Sequence, residues 1–214
     1  MSLLVRAIVR SEDALGAATS DLVVVRADGI AALATPCADR PPLTEAELRT
    51  HDAITRRIHD GAPSLPSRFG QVFPDEDALV RALRDRESAL AESLRSVGPR
   101  VEFHVTLEWR RPHQAPDASD ASTGRGYLEA LAVRERERRE AEQVVARLTE
   151  QLPTERAFIR HVICPRDGVA AIVAILSARD EVMSVRQAVE SFGERSGEIT
   201  ALVRGPLPPY TFAS

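Results

Sequence analysis

Arginine does not shed its charge inside a protein, so an arginine set in an apolar stretch demands a partner or a task. Arg68 lies in LPSRFGQVF, residues 65–73, where proline, serine and glycine interrupt an otherwise apolar strand. Read as a strand, Leu65, Ser67, Phe69, Gln71 and Phe73 share one side, while Pro66, Arg68, Gly70 and Val72 share the other. Phe69 and Phe73 would then point at the core, and Arg68 away from it or into a crevice at the sheet end. Gly70 admits close approach of another backbone or side chain. Arg68 thus either bonds a carboxylate or loose helix-end carbonyls, or binds a ligand or partner, or serves catalysis. The sequence places no nucleophile or base beside it.

The other reactive side chains form no recognisable centre. His51 and His59 are eight residues apart, too far for the i,i+4 pair of a helical zinc site, and His51 falls on an apolar stripe that suits a buried, hydrogen-bonded ring. His104 and His161 each fall in an expected strand and would need a shared carboxylate to hold a metal; His113 lies in a polar stretch. Cys37 and Cys164 make no CxxC, zinc pattern or disulfide framework and read as buried thiols. Every basic residue is arginine, which removes a P-loop lysine and a Schiff-base lysine. No GxGxxG, GxxxxGKS, GxSxG or HExxH occurs. These readings give no catalytic residue, no cofactor and no metal.

The elements that must position Arg68 follow from periodicity. LLVRAIV and the two runs around Asp28-Gly29 read as strands, the dipeptide as a hairpin turn. Thr44 with Glu47 opens a helix whose stripe is Leu48, His51, Ile54 and Ile58, ended by Gly61 and Pro63. After LPSRFGQVF, Pro74 and Asp75 begin a helix with Leu79, Leu83, Arg86, Leu90 and Leu94 on one face. VEFHVTLEW alternates strictly, with Val101, Phe103, Val105, Leu107 and Trp109 inward and Glu102, His104, Thr106 and Glu108 outward.

Residues 111–125 are polar and contain two prolines, a linker composition. Residues 126–151 then form a long helix with Leu128, Leu131, Val145, Leu148 and Leu152 able to pack at its ends. Its middle, RERERRE, is either a solvated face or a surface that reaches a partner; Glu135–Arg139 and Arg136–Glu140 are i,i+4 pairs. AFIRHVIC and VAAIVAIL flank a Pro-Arg-Asp-Gly turn, and DEVMSVRQAVESFGER and GEITALV follow as helix and strand. The expected architecture is α+β: ferredoxin-like sandwiches at 1–110 and 126–214, mainly antiparallel, joined by the linker 111–125.

A net charge of −4 gives no basic field for nucleic acid. The longest apolar run, GVAAIVAIL, is half the length of a membrane span, and the first residues carry no secretory h-region. A cytoplasmic protein without membrane or nucleic-acid partners is expected.

LPSRFGQVF, preceded by a helix carrying His51, resembles the LPLRFG segment of the gas vesicle protein F/L family, and the ending GPLPPYTFA is similar to that family's GPWPPYSF. The strand VEFHVTLEW falls where members carry a glutamate-led strand ending near tryptophan. Leu65, Pro66, Arg68, Phe69 and Gly70 match the first motif; Gly205, Pro206, Pro208, Pro209, Tyr210 and Phe212 match the second. Ser67 replaces a usually apolar residue, and Leu207 replaces tryptophan.

The resemblance implies a non-enzymatic accessory protein of gas vesicle formation with two α+β domains, found in the cytoplasm and at the vesicle. It also implies that the chain binds the small, hydrophobic shell protein and other accessory vesicle proteins. Arg68, Phe69, Gly70, Pro208, Pro209, Tyr210 and Phe212 are the candidate interaction residues. The prolines stiffen the tail and the aromatics offer area for a groove, although the tail could equally pack on its own domain. Two other readings stand beside this one. An enzyme would need Arg68, a histidine and a carboxylate to converge in a pocket; a regulatory module would bind a ligand or self-associate through its sheet.

Overall fold

In a computed structural model that describes residues 1–110, 124–155, 158–166 and 168–213, the apolar opening run is β1 (Ser2–Arg10), inside an antiparallel sheet. One helical turn, α1 (Ala14–Ala17), leads to β2 (Val23–Ala27) and β3 (Ile30–Cys37). Between them Asp28 takes φ 53°, the left-handed conformation that an Asp-Gly hairpin requires. α2 (Glu45–Gly61) carries the chain to β4 (Ser64–Pro66) and then β5 (Val72–Phe73), both antiparallel to β1. The order β2-β3-β1-β4, with helices after β1 and β3, is ferredoxin-like.

Alternation sorts the two faces of this sheet. Ala7, Val9, Ala31 and Leu33 pack with Ala14, Ala17 and Ile58 from α1 and α2. Thr44 caps α2 by accepting from the Glu47 amide at 3.3 Å. The buried residues of α2 are His51, Thr55, Ile58 and His59, whereas Leu48 is 42% exposed. The helix begins before the sheet covers it, so the expected stripe loses its first member.

Past β5, the leucine-rich segment breaks into α3 (Glu76–Asp85) and α4 (Glu87–Val97) where one helix was expected. Arg86, at φ −120° and ψ 8°, leaves the helical conformation, and its amide donates back to the Leu83 carbonyl at 3.1 Å. Asp75 caps α3 through the Ala78 amide at 2.8 Å.

The second sheet comprises β6 (Val101–Trp109), β7 (Ile159–Arg166), β8 (Val169–Ser177) and β9 (Ile199–Leu207), ordered β7-β8-β6-β9. With α5 (Gly124–Gln151) after β6 and α6 (Val182–Arg195) after β8, the connections are again ferredoxin-like. Sequence order groups β6 with the first half, yet it pairs within the second sheet. Alternation identifies a strand without naming its neighbours, and these lie some sixty residues or more further along the chain. By density of contacts the chain forms two units, Met1–Glu102 with Leu207–Ser214, and Phe103–Pro206.

Residues 111–123 of the polar stretch, with His113, and Asp167 of the Pro-Arg-Asp-Gly turn lie outside the described residues. Val145, Leu148 and Leu152 are buried as their spacing requires, while Leu128 and Leu131 are exposed. In the charged middle of α5, Glu135 pairs with Arg138 and Arg139 at 2.9 Å each, and Arg138 also reaches Glu142. The two arginines hold the Glu135 carboxyl down at about 2, first through their hydrogen bonds. Among the described residues, no helix is long and apolar enough to cross a membrane.

The uneven burial of α2 sets a direct comparison. Ile58→Ala should destabilise by about 2–5 kcal/mol, a buried large-to-small change. Leu48→Ala should stay within about 0.5 kcal/mol of the parent, as surface substitutions do. Urea unfolding of both variants checks this.

Candidate functional site

The site begins with an irregularity in β1. Its register with β3 runs from Ser2–Cys37 to Val5–Ala34 and resumes at Ala7–Leu33, so Arg6 is the extra residue of a β-bulge. Arg6 is 4% exposed. Its Nε donates to Thr35 Oγ1 at 2.9 Å, and its terminal nitrogen donates to His51 Nδ1 at 3.0 Å. Burial pulls the Arg6 pKa down, opposed by the more distant Glu47, and the guanidinium keeps its charge.

Since a guanidinium only donates, His51 Nδ1 must accept, which leaves Nε2 to carry the ring proton. Nε2–H then donates to the Ser67 carbonyl at 3.0 Å. The Ser67 amide donates in turn to the Arg6 carbonyl at 2.9 Å, so Arg6 and His51 hold Ser67 from both sides. Burial lowers the His51 pKa, with Arg6 adding to that and the Ser67 bond opposing it.

His59 does the same work one strand-end away. Its Nδ1 faces Ser64 Oγ at 3.1 Å and its Nε2 the Arg100 carbonyl at 2.9 Å. Eight residues of helix rise about 12 Å, close to the ~10 Å that three residues of strand span from Ser64 to Ser67. The spacing unsuited to a zinc pair therefore matches two anchor points, Ser64 at the start of β4 and Ser67 just past its end.

Between β4 and β5 the backbone leaves the sheet. Gln71 N–H approaches the Arg68 carbonyl at 3.4 Å, Gly70 takes φ 79°, and Val5 N–H recaptures the chain at the Gln71 carbonyl at 3.0 Å. Ser67, the departure from the resembled motif, braces the turn through its hydroxyl on Gln71 Oε1 at 2.6 Å. A continuous strand was expected here. The turn instead leaves Phe69 and Phe73 half-buried and Arg68 exposed. Phe69 meets the His51 ring edge-to-face, centroids 5.6 Å apart at 90°. The Arg68 guanidinium bonds none of the described residues; the arginine that ties sheet to helix is Arg6.

The tail after β9 lies on the same unit. Pro208, Pro209 and Phe212 are buried, and Tyr210 is half-buried. Tyr210 Oη donates to Asp52 Oδ1 at 3.1 Å, and burial followed by the Asp52 charge pushes the phenol pKa up. Thr211 donates its amide to Glu102 Oε2 at 2.8 Å and its hydroxyl to Oε1 at 2.6 Å. Glu102 is 0% exposed, whereas strand alternation had turned it outward.

Both motifs meet around one cleft of about 840 Å³. Leu65 to Gln71 form one wall and Tyr210, Thr211 and Ala213 another, with Ile8 of β1 and Leu90 of α4 between them. Its rim carries Arg40, Arg68 and Arg86, and among the described residues no imidazole or carboxylate side chain lines it. Among the described residues, Arg68, a histidine and a carboxylate do not converge in this cleft, and His51 has both ring nitrogens engaged. Among the described residues, no group of three or more His, Cys, Asp or Glu could hold a metal. Cys37 and Cys164 are free and half-buried.

The family model for gas vesicle synthesis protein GvpL/GvpF matches residues 4–214. Gas vesicle protein F of a Streptomyces species is 29% identical over 185 residues, covering 78% of this chain and 76% of that protein. Gas vesicle protein L2 of Halobacterium salinarum is 29% identical over 227 residues, covering 89% and 80%. In fold, the crystal structure of GvpF from Anabaena aligns with TM-score 0.75 at 14% identity, covering 100% of this chain and 98% of that one. GvpF from Microcystis aeruginosa aligns with TM-score 0.75 at 16% identity, covering 100% and 99%.

Two predictions follow from the anchoring bonds. The unfolded His51 takes up a proton near pH 6.5 and the folded one only below that, so its stabilising contribution is complete above about pH 6.5. It is lost as pH falls from there through the lowered native value. The urea midpoint should therefore drop between pH 7 and pH 5, and drop less in His51→Gln; equal drops would contradict the assignment. Glu102→Ala should cost about 1–3 kcal/mol by removing the carboxylate that accepts from the Thr211 amide and hydroxyl. It should also speed amide hydrogen exchange at Thr211 and Phe212 while β1 stays protected.

Proposed function

This chain belongs to the gas vesicle synthesis protein GvpL/GvpF family, and we propose that it is an accessory protein that binds the small hydrophobic shell protein, and other vesicle proteins, during gas vesicle assembly. The observation that carries this reading is the convergence of LPSRFG and PPYTF, from distant segments of the chain, on one cleft. The tail prolines and Phe212 are buried and serve as its scaffold. Arg68, Phe69, Gly70 and Tyr210 line the space itself.

The composition of the cleft suits recognition of a protein segment. The half-buried side chains of Ile8 and Phe69 supply apolar area to remove from water, and the guanidinium groups at the rim supply directional donors. Aromatic and arginine side chains are the types that carry most of the binding energy in protein interfaces.

The purified chain should retain the shell protein in a pull-down, and deletion of its gene should abolish vesicles. Full vesicle yield after deletion would contradict the proposal.

A further inference from the structure

Three arginines reach the cleft from separate segments: Arg40 after β3, Arg68 in the turn before β5, and Arg86 at the break between α3 and α4. None of their guanidinium groups makes a hydrogen bond or ion pair with the described residues. Elsewhere on this unit some exposed arginines face carboxylates, Arg49 with Glu45, Arg57 with Asp21 and Arg84 with Asp28, while Arg26, Arg81 and Arg95 show no such pairing among the described residues. The acidic chain neighbours Asp39, Asp85 and Glu87 do not line the cleft, and Glu87 accepts instead from the Gly29 amide at 3.0 Å. In a chain of net charge −4, the described residues around the cleft carry three positive charges and no side-chain carboxylate, over a floor of Ile8, Leu65 and Leu90.

Gly70 helps to bring these charges together. A Cβ there would come within 3.1 Å of Arg40 Nε and 3.2 Å of its terminal nitrogen. The bare glycine, in a conformation that other residues rarely take, lets the Arg40 guanidinium lie against the turn that presents Arg68.

We infer that this cleft takes an acidic peptide segment with interspersed apolar residues, supplied by a partner protein. Carboxylates pair with the three guanidinium forks, and apolar side chains fill the space over Ile8, Leu65 and Leu90. A volume of about 840 Å³ suits several side chains better than one small anion. The inference rests on the reading of the cleft as a docking site and adds the chemistry of what docks.

The test uses the full chain and a fluorescent twelve-residue peptide of alternating glutamate and leucine, followed by anisotropy. The glutamate peptide should bind at least tenfold more tightly than its glutamine counterpart, and more weakly as salt is raised. The triple variant Arg40→Gln, Arg68→Gln, Arg86→Gln should keep the parent's thermal transition, since these side chains have no hydrogen-bond or ion-pair partners among the described residues, and bind at least tenfold more weakly. Equal binding of the two peptides, parent-like binding by the triple variant, or equal binding of a DNA oligomer of matching charge would each overturn the inference. Shell-protein retention is scored separately on the parent chain. Its loss with peptide binding intact removes the assembly reading and leaves this one; the opposite pattern removes this one alone.

Discussion

A buried arginine that faces a neutral histidine is the constraint on which the N-terminal unit depends. Arg6 sits inside with no carboxylate at hydrogen-bonding distance among the described residues, and its donors go to a hydroxyl and a ring nitrogen. Such an arrangement holds only while His51 accepts, because an imidazolium would set N–H against N–H and charge against charge. The histidine is thereby fixed as one tautomer, and its other nitrogen has a single use, the Ser67 carbonyl. Removing the arginine would leave a buried acceptor unsatisfied, at about 1–3 kcal/mol for each group stranded.

From that triangle the cleft follows. Ser67 is the last residue held before the backbone lifts away, and Gln71 the residue at which β1 recaptures it. The four residues from Arg68 to Gln71 are therefore presented by a frame that is clamped at both ends. The tail completes the opposite wall through Glu102 and Asp52, which tie Thr211 and Tyr210 to the same unit. Glu102, His51 and His59 are buried and serve construction, whereas Arg40, Arg68 and Arg86 have no side-chain partners among the described residues.

Much of this was legible in the sequence, and the rest was hidden for physical reasons. The hairpin at Asp28-Gly29, the cap at Thr44 and the alternation of β6 are local signals, and each corresponds to an element. Of the residues to which the two motifs pointed, Arg68, Phe69, Gly70 and Tyr210 line one cleft, and Pro208, Pro209 and Phe212 are buried beside it. A bulge carries no local signature, so Arg6 in LLVRAIV looked like an ordinary strand residue and Arg68 drew the attention instead. Glu102 was assigned outward because alternation assumes one face is wet; a returning tail covers it. The cluster of Arg40, Arg68 and Arg86 depends on long-range folding and on a helix break at Arg86 that leucine spacing conceals.

The protonation state of the His51 ring tests this account most directly. Nitrogen NMR of the ring at pH 7 should show a neutral imidazole with the proton on Nε2, persisting below the pH at which an exposed histidine titrates. An imidazolium at pH 7, or a neutral ring protonated on Nδ1, would contradict the account, because either would oppose the Arg6 donor that holds the turn in place.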